Sequence, residues 1–258
     1  MTNVKFFDVN LIDSGCTFTL TSALTTLAKR LYDNLTSTSL FSIASTDAAP
    51  EVWTIAFAAP VTMNRLFIRE HNIKSGTLKY RIAGAYTDFS TPISWSANTT
   101  VTTNYYAFTS VVGVTSLQLT MDTTITANAE KTVSELRAFV ELGTLVENCK
   151  YLQDELIKEK ASIIRVSGGG FVRISFGEKL HVKLAFKDAL ATDMTLIELL
   201  SNRTSPFYVY LGGGYLNEQE LFRVQDMYFV NYVNPFSPTL KNNLLNAGTT
   251  IEMELMET

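Results

Sequence analysis

Two histidines and two cysteines are all that this chain of 258 residues contains. Imidazole is the usual acid–base group near neutral pH, so His71 and His181 alone leave little for a triad or a proton shuttle. Cys16 and Cys149 stand far apart, with no Cys-x-x-Cys spacing and no histidine at ligand spacing, which argues against a zinc or dithiol site. They read as buried free thiols, or as one bridge tying the ends of a first domain if their Cα atoms come within disulfide reach. Charge is also scarce: 18% of residues are charged, the net charge is −4, and the basic residues are scattered rather than gathered into runs. No nucleic-acid partner and no anionic membrane surface is expected from that balance. No stretch approaches the roughly 20 consecutive apolar residues of a spanning helix, so membrane insertion is not expected. The opening Met-Thr-Asn-Val-Lys-Phe-Phe lacks the regions of a signal peptide, and the expectation is folding in a cytoplasm.

Motifs for group transfer are missing too. The runs Ser167-Gly168-Gly169-Gly170 and Gly212-Gly213-Gly214 contain neither Gly-x-Gly-x-x-Gly nor Gly-Lys-Ser/Thr, and they read as hairpin turns rather than phosphate loops. Asp8, Asp13, Asp47, Glu70 and Asp122 are carboxylates whose spacing brings no two together on one element. They read as solvated or turn-capping groups, so no catalytic residue is assigned and no enzyme is expected.

What the chain has is alternation. With 46% apolar residues it is a folded, globular sequence, long enough for one or two domains. The organising stretch is 52–82. Trp53, Ile55 and Phe57 alternate with Val52, Thr54 and Ala56. Ala58-Ala59-Pro60 breaks the run, and Leu66 and Ile68 begin a second that stops at His71-Asn72, where His71 reads as a loop residue. After a Ser75-Gly76 turn, Leu78, Tyr80 and Ile82 alternate with Thr77, Lys79 and Arg81. Three short antiparallel strands with one buried and one wet face are expected. Around them, 4–9, 17–20, 105–109, 116–121 and 133–142 read as further strands, and 22–43 as a short helical turn dissolving into hydroxyl-rich turns.

The ordered set of Leu-Tyr-Asp at 31–33, Trp-x-Ile-x-Phe at 53–57, the pair of strands over 66–80 and Ser-Glu-Leu-Arg-Ala-Phe at 134–139 resembles the discoidin, or coagulation-factor C-terminal, family of galactose-binding-like jelly rolls. The resemblance covers residues 1–142. It implies an eight-stranded β-sandwich whose loops at one end bind carbohydrate, lipid head group or protein, and it does not imply an enzyme. The family also raises calcium near Asp33 or Asp47, but no EF-hand-like run supports it, and no metal or cofactor is expected.

Composition changes at Gly143. Glu147 to Lys160 is charged with helical spacing, predicting a linker helix within 143–162. From 163 the chain returns to strands: a hairpin over 163–176, the clean alternation of Leu180, Val182, Leu184 and Phe186, and strands over 207–211, 222–232 and 250–255. A short helix over 193–202 has Asp193 as its cap. The fold class is therefore mainly β: an N-terminal jelly-roll sandwich (1–142), a helical linker (143–162) and a smaller β-rich, α+β domain (163–258).

Tyr86, Phe89, Trp95 and Tyr105 sit in polar segments between strands. An aromatic face there can stack on a sugar while nearby amides and hydroxyls bond its edges, so these four are the candidate ligand-binding residues, Trp95 first. The ending over 222–256 is similar to the closing strands of tailed-bacteriophage structural proteins. That resemblance implies a tail or baseplate subunit, assembled in the host cytoplasm into a virion. Its expected partners are copies of itself in a ring, other virion tail proteins and a host-surface glycan. The alternative is a stand-alone carbohydrate-binding, lectin-like module.

Overall fold

The computed structural model describes residues 4–33, 38–43, 47–146, 150–151, 157–165, 171–187, 190–210, 227–232, 239–240 and 249–257. In chain order the strands are β1 (Lys5–Phe7), β2 (Thr17–Leu20), β3 (Leu40–Phe41), β4 (Glu51–His71), β5 (Ile73–Arg81), β6 (Ile93–Trp95), β7 (Thr102–Thr124), β8 (Thr132–Val133), β9 (Glu135–Phe139), β10 (Glu141–Thr144), β11 (Lys150–Tyr151), β12 (Ile157–Arg165), β13 (Phe171–Lys187), β14 (Phe207–Tyr210), β15 (Met227–Tyr232), β16 (Thr239–Leu240) and β17 (Thr249–Glu257). A 3-10 helix spans Thr25–Leu31 and α1 spans Ala191–Ser201. The fold is mainly β, with antiparallel sheets forming a sandwich-like jelly roll. Two compact units share the chain: Val9–Glu141, and Met1–Asp8 together with Leu142–Thr258.

The sandwich is built on one long ribbon. β4 pairs antiparallel with β7 from Glu51↔Met121 to His71↔Thr102. Its first half joins β2, β5 and β6 in a layer of order β2-β4-β7-β5-β6, and its second half pairs with β9. Register shifts between Ala56 and Val61, and again up to Arg65, let the ribbon turn from one layer to the other. The expected break at Ala58-Ala59-Pro60 is therefore a bulged bend inside one strand. Pro60 falls where the ladder is interrupted, so its missing N–H costs no pairing. The expected strands over 105–109 and 116–121 are likewise one strand, β7, which bends through Gly113 at φ +78°. Ser75-Gly76 is a register irregularity within β5, and the chain crosses between layers at Asn72 instead.

The alternation was legible because it faces a core. Leu20, Trp53, Leu119, Leu78 and Ile93 line up across five strands, with Ile55 and Leu117 in the next row. Leu66, Ile68, Leu136 and Ala138 belong to the same buried cluster. Each large side chain fully removed from water contributes roughly 1.5–3 kcal/mol. A buried ionic cluster interrupts the apolar pattern: Glu135 lies 2.6 Å from Arg137 and 3.7 Å from Arg69. Cys16 carries a free, half-buried thiol, pushed above its ordinary pKa first by burial; the other cysteine of the expected bridge, Cys149, lies outside the described residues.

The second unit corrects the expected boundaries. The opening strand β1 is not the first strand of the sandwich. It pairs with β14, Lys5↔Tyr210 through Phe7↔Tyr208, in a sheet of order β10-β1-β14-β15-β17-β13-β11. β10 lies on its other side, where the Leu145 amide donates to the Val4 carbonyl at 3.0 Å. The sandwich, Val9–Glu141, is thus inserted between two hydrogen-bonded neighbours of this base sheet. The linker helix within 143–162 is absent wherever that segment is described: residues 141–144, 150–151 and 157–165 are strand, and 147–149 and 152–156 lie outside the described residues. β12 is one arm of a hairpin with β13, so pairing overrides the helical spacing of its charges. Both triple-glycine runs lie outside the described residues, and His181 falls in β13.

The expected short helix is present as α1, but Asp193 is not its cap. Asp193 lies in the first turn, 1% exposed, and accepts the Val146 amide at 2.8 Å, tying the returning chain to the helix.

Gly76 tests the packing of the sandwich. It stands opposite Met121 on one side and Trp95 on the other, and a Cβ there would lie 2.3 Å from the Thr120 carbonyl oxygen. Gly76→Ala is expected to cost about 1–3 kcal/mol, read as a lower midpoint in urea unfolding; an unchanged midpoint would contradict this packing.

Candidate functional site

The four expected stacking rings are not brought together. Trp95, at the end of β6, is 6% exposed, and its ring meets His71 at 5.1 Å and Tyr106 at 6.3 Å between centroids. Its Nε1 donates to Asn104 Oδ1 at 3.3 Å, which also lies 2.7 Å from His71 Nε2. The Ile73 amide donates to His71 Nδ1 at 3.2 Å. A nitrogen that accepts carries no proton, so the neutral imidazole has its hydrogen on Nε2 and donates to Asn104. His71 is therefore the buried last residue of β4, not a loop residue. Burial lowers its pKa, against the opposing hydrogen bond to Asn104. Burial also pushes Tyr106 up to about 12, with the Trp95 hydrogen bond acting the other way.

Phe89 is 2% exposed and packs on Phe108 at 4.3 Å and Tyr80 at 4.9 Å. Tyr105 is a half-buried β7 residue opposite Phe67. As placed, Trp95 from the end of β6 and Phe89 from the segment before it cover the sandwich core, and both are almost wholly buried. Tyr86 differs. It is half-buried, its hydroxyl is 3.1 Å from Ser116 Oγ, and the Arg81 guanidinium lies 5.1 Å from its ring centroid.

The loops beside Trp95 are clipped by side chains bonded to backbone. Glu51, 3% exposed, accepts the Ser22 amide and Trp53 Nε1, each at 2.8 Å, and the Ser22 hydroxyl at 2.7 Å. Lys131 donates to the Ala49 carbonyl at 3.1 Å, and Asn72 Oδ1 accepts the Thr132 amide at 2.9 Å. Asp47 accepts the amides of Thr124 and Asn128 and the Thr124 hydroxyl at 3.0–3.2 Å. Burial raises its pKa, but those bonds and Lys131 outweigh it, so the net shift is downward. Both Asp47 oxygens are taken by protein donors, and Asp33 accepts the Thr38 hydroxyl at 2.9 Å. Among the described residues no three His, Cys, Asp or Glu side chains gather. This donor set does not fit the calcium that the family resemblance raises.

Sequence reasoning passed over the other face of the alternation. Opposite the core rows, the register sets Thr19, Thr54, Gln118 and Lys79 side by side on the outer face. The row toward Tyr86 holds Thr17, Ala56, Ser116 and Arg81. The row toward Trp95 holds Val52, Thr120, Thr77 and Ser94. The signal lay in the same strands: most residues between the core positions are polar, with threonine and serine the commonest.

No protein-family model and no curated protein matches the chain. Among solved structures, 51% of the chain is similar to the whole of CpGH89CBM32-5 from Clostridium perfringens, in complex with GalNAc-beta-1,3-galactose, at 15% identity and a TM-score of 0.41. A similar span, 52%, matches 96% of the F5/8 type C domain of a Bacteroides fragilis protein at 14% identity and a TM-score of 0.40. Chitosan-binding module 1, derived from a chitosanase/glucanase of Paenibacillus sp. IK-5, is matched over 99% of its length by 51% of this chain, at 17% identity and a TM-score of 0.41.

The buried imidazole sets a pH dependence. Because the folded pKa lies below the ordinary value of about 6.5, the unfolded chain takes up the proton first as pH falls. Stability is held above that value and declines below it until the folded pKa is reached. Unfolding midpoints measured against pH should show this slope in the native chain and lose it in His71→Gln; the same slope in both would place its origin elsewhere.

Proposed function

We propose that the chain is a non-catalytic display protein: a base unit made from both ends of the chain assembles, and the inserted sandwich recognises a partner surface, carbohydrate first. The observation that carries this reading is the insertion. Val9–Glu141 leaves and re-enters the base sheet through β1 and β10, which are hydrogen-bonded neighbours. A module attached at one adjacent pair of strands can vary without disturbing the sheet that carries it. The many clips on its loops support recognition by a preset surface rather than one ordered on contact.

The setting proposed is the tail or baseplate of a tailed bacteriophage, with the base unit forming a homo-oligomeric ring beside other tail proteins. Repetition around a ring raises a weak sugar contact to useful avidity. Light scattering and electron microscopy of the purified full chain test this. Rings or higher oligomers at micromolar concentration are expected, with retention on a glycan array. A strict monomer at every concentration would contradict the assembly and leave a lectin-like module; an oligomer silent on the array would contradict the carbohydrate part.

A further inference from the structure

The outer face of the five-stranded layer has a chemistry that narrows what it can hold. At its centre are Thr54, Gln118, Thr120 and Thr77, each half-buried and each carrying a hydroxyl or an amide that both donates and accepts. The three rows contain no carboxylate. The two cations, Lys79 and Arg81, stand on β5, where Lys79 lies 3.4 Å from Asp88 and Arg81 stacks over Tyr86. A charged ligand therefore finds no matching charge at the centre. A protein partner finds no Trp, Tyr or Arg anchor at the centre, where the side chains that dominate such interfaces would be needed; Arg81 and Tyr86 stand together at one edge. A ligand with many uncharged hydroxyls finds complementary groups in every row.

Geometry favours a chain over a single sugar. Neighbouring strands are about 4.8 Å apart, so polar groups recur at fixed intervals across the sheet. The threonines are β-branched and stiff at χ1, which lowers the ordering cost on binding. At one end Tyr86 is fixed by Ser116 and Arg81, and Ser116 stands opposite the small side chain of Ala56.

We infer that this face is the docking surface for an extended, uncharged oligosaccharide, with Thr54, Gln118 and Thr120 bonding its hydroxyls and Tyr86 bordering one end. The inference rests on the carbohydrate reading above and moves the contact from the sandwich loops to the sheet. Isothermal titration of the full chain with xylohexaose, cellohexaose, mannohexaose and N-acetylchitohexaose, and with the matching monosaccharides, tests it. At least one hexasaccharide should bind, its monosaccharide about tenfold or more weakly. Gln118→Ala and Thr54→Val should each weaken binding about threefold to tenfold, the worth of one neutral hydrogen bond. Ser96→Ala, in the exposed loop after β6, should leave it unchanged, and circular dichroism confirms that each variant folds. Wild-type affinity in both face variants, with loss in Ser96→Ala, would overturn the face while the carbohydrate reading stands. Failure of all four hexasaccharides to bind would overturn the face as an oligosaccharide site, whereas particle mass judges the assembly separately.

Discussion

The pairing of β4 with β7 is the constraint on which the sandwich depends. These two strands run together through both layers, and each other main strand joins one half of their ribbon. Bulges between Ala56 and Arg65 and the positive φ of Gly113 turn the ribbon over, so one continuous ladder supplies the walls on both sides of the core. A one-residue slip in this register would turn Trp53, Ile55, Leu117 and Leu119 outward together, so a whole face of apolar residues specifies it. The same register lines up threonines, Gln118 and Lys79 on the outside. Core and outer face are thus two products of one pairing.

Around that ribbon, polar groups set the loops. Glu51, Asn72, Lys131 and Asp47 each bond backbone from a distant segment, and His71 with Asn104 and Trp95 closes the region behind them. Glu51, Lys131 and His71 are buried, and buried polar groups satisfied in this way fix one arrangement, because leaving a partner unmade costs more than the bond contributes. Trp95 is taken up by this closure, while Tyr86 stays half-exposed beside the sheet face. What stays at the surface is the regular face of the sheet.

Local pattern was readable where one face meets the core, as in Trp53-Ile55-Phe57 and Leu117-Leu119-Met121. Breaks were overread: Pro60 and Gly113 mark bends within strands, since a bulge needs the same residues as a turn. Pairing across long separations left no local mark. Nothing in Lys5-Phe6-Phe7 says that its partner lies some two hundred residues on, and the charged stretch after Gly143 carries helical spacing although its described part pairs as strand. Aromatics in polar segments put Trp95 first, and the structure places that ring 6% exposed at the end of β6, because a ring that covers a core has the same sequence context as one that faces a sugar.

The central claim is that the sandwich is an insert in a sheet closed by the first strand of the chain. Native-state hydrogen exchange on the full chain, resolved by segment across a denaturant series, addresses it directly. The account predicts that amides of Lys5–Phe7 open with those of Phe207–Tyr210, at a free energy and denaturant slope distinct from those of the β4 and β7 amides. Exchange of Lys5–Phe7 in step with β4 would contradict it and return the first strand to the sandwich.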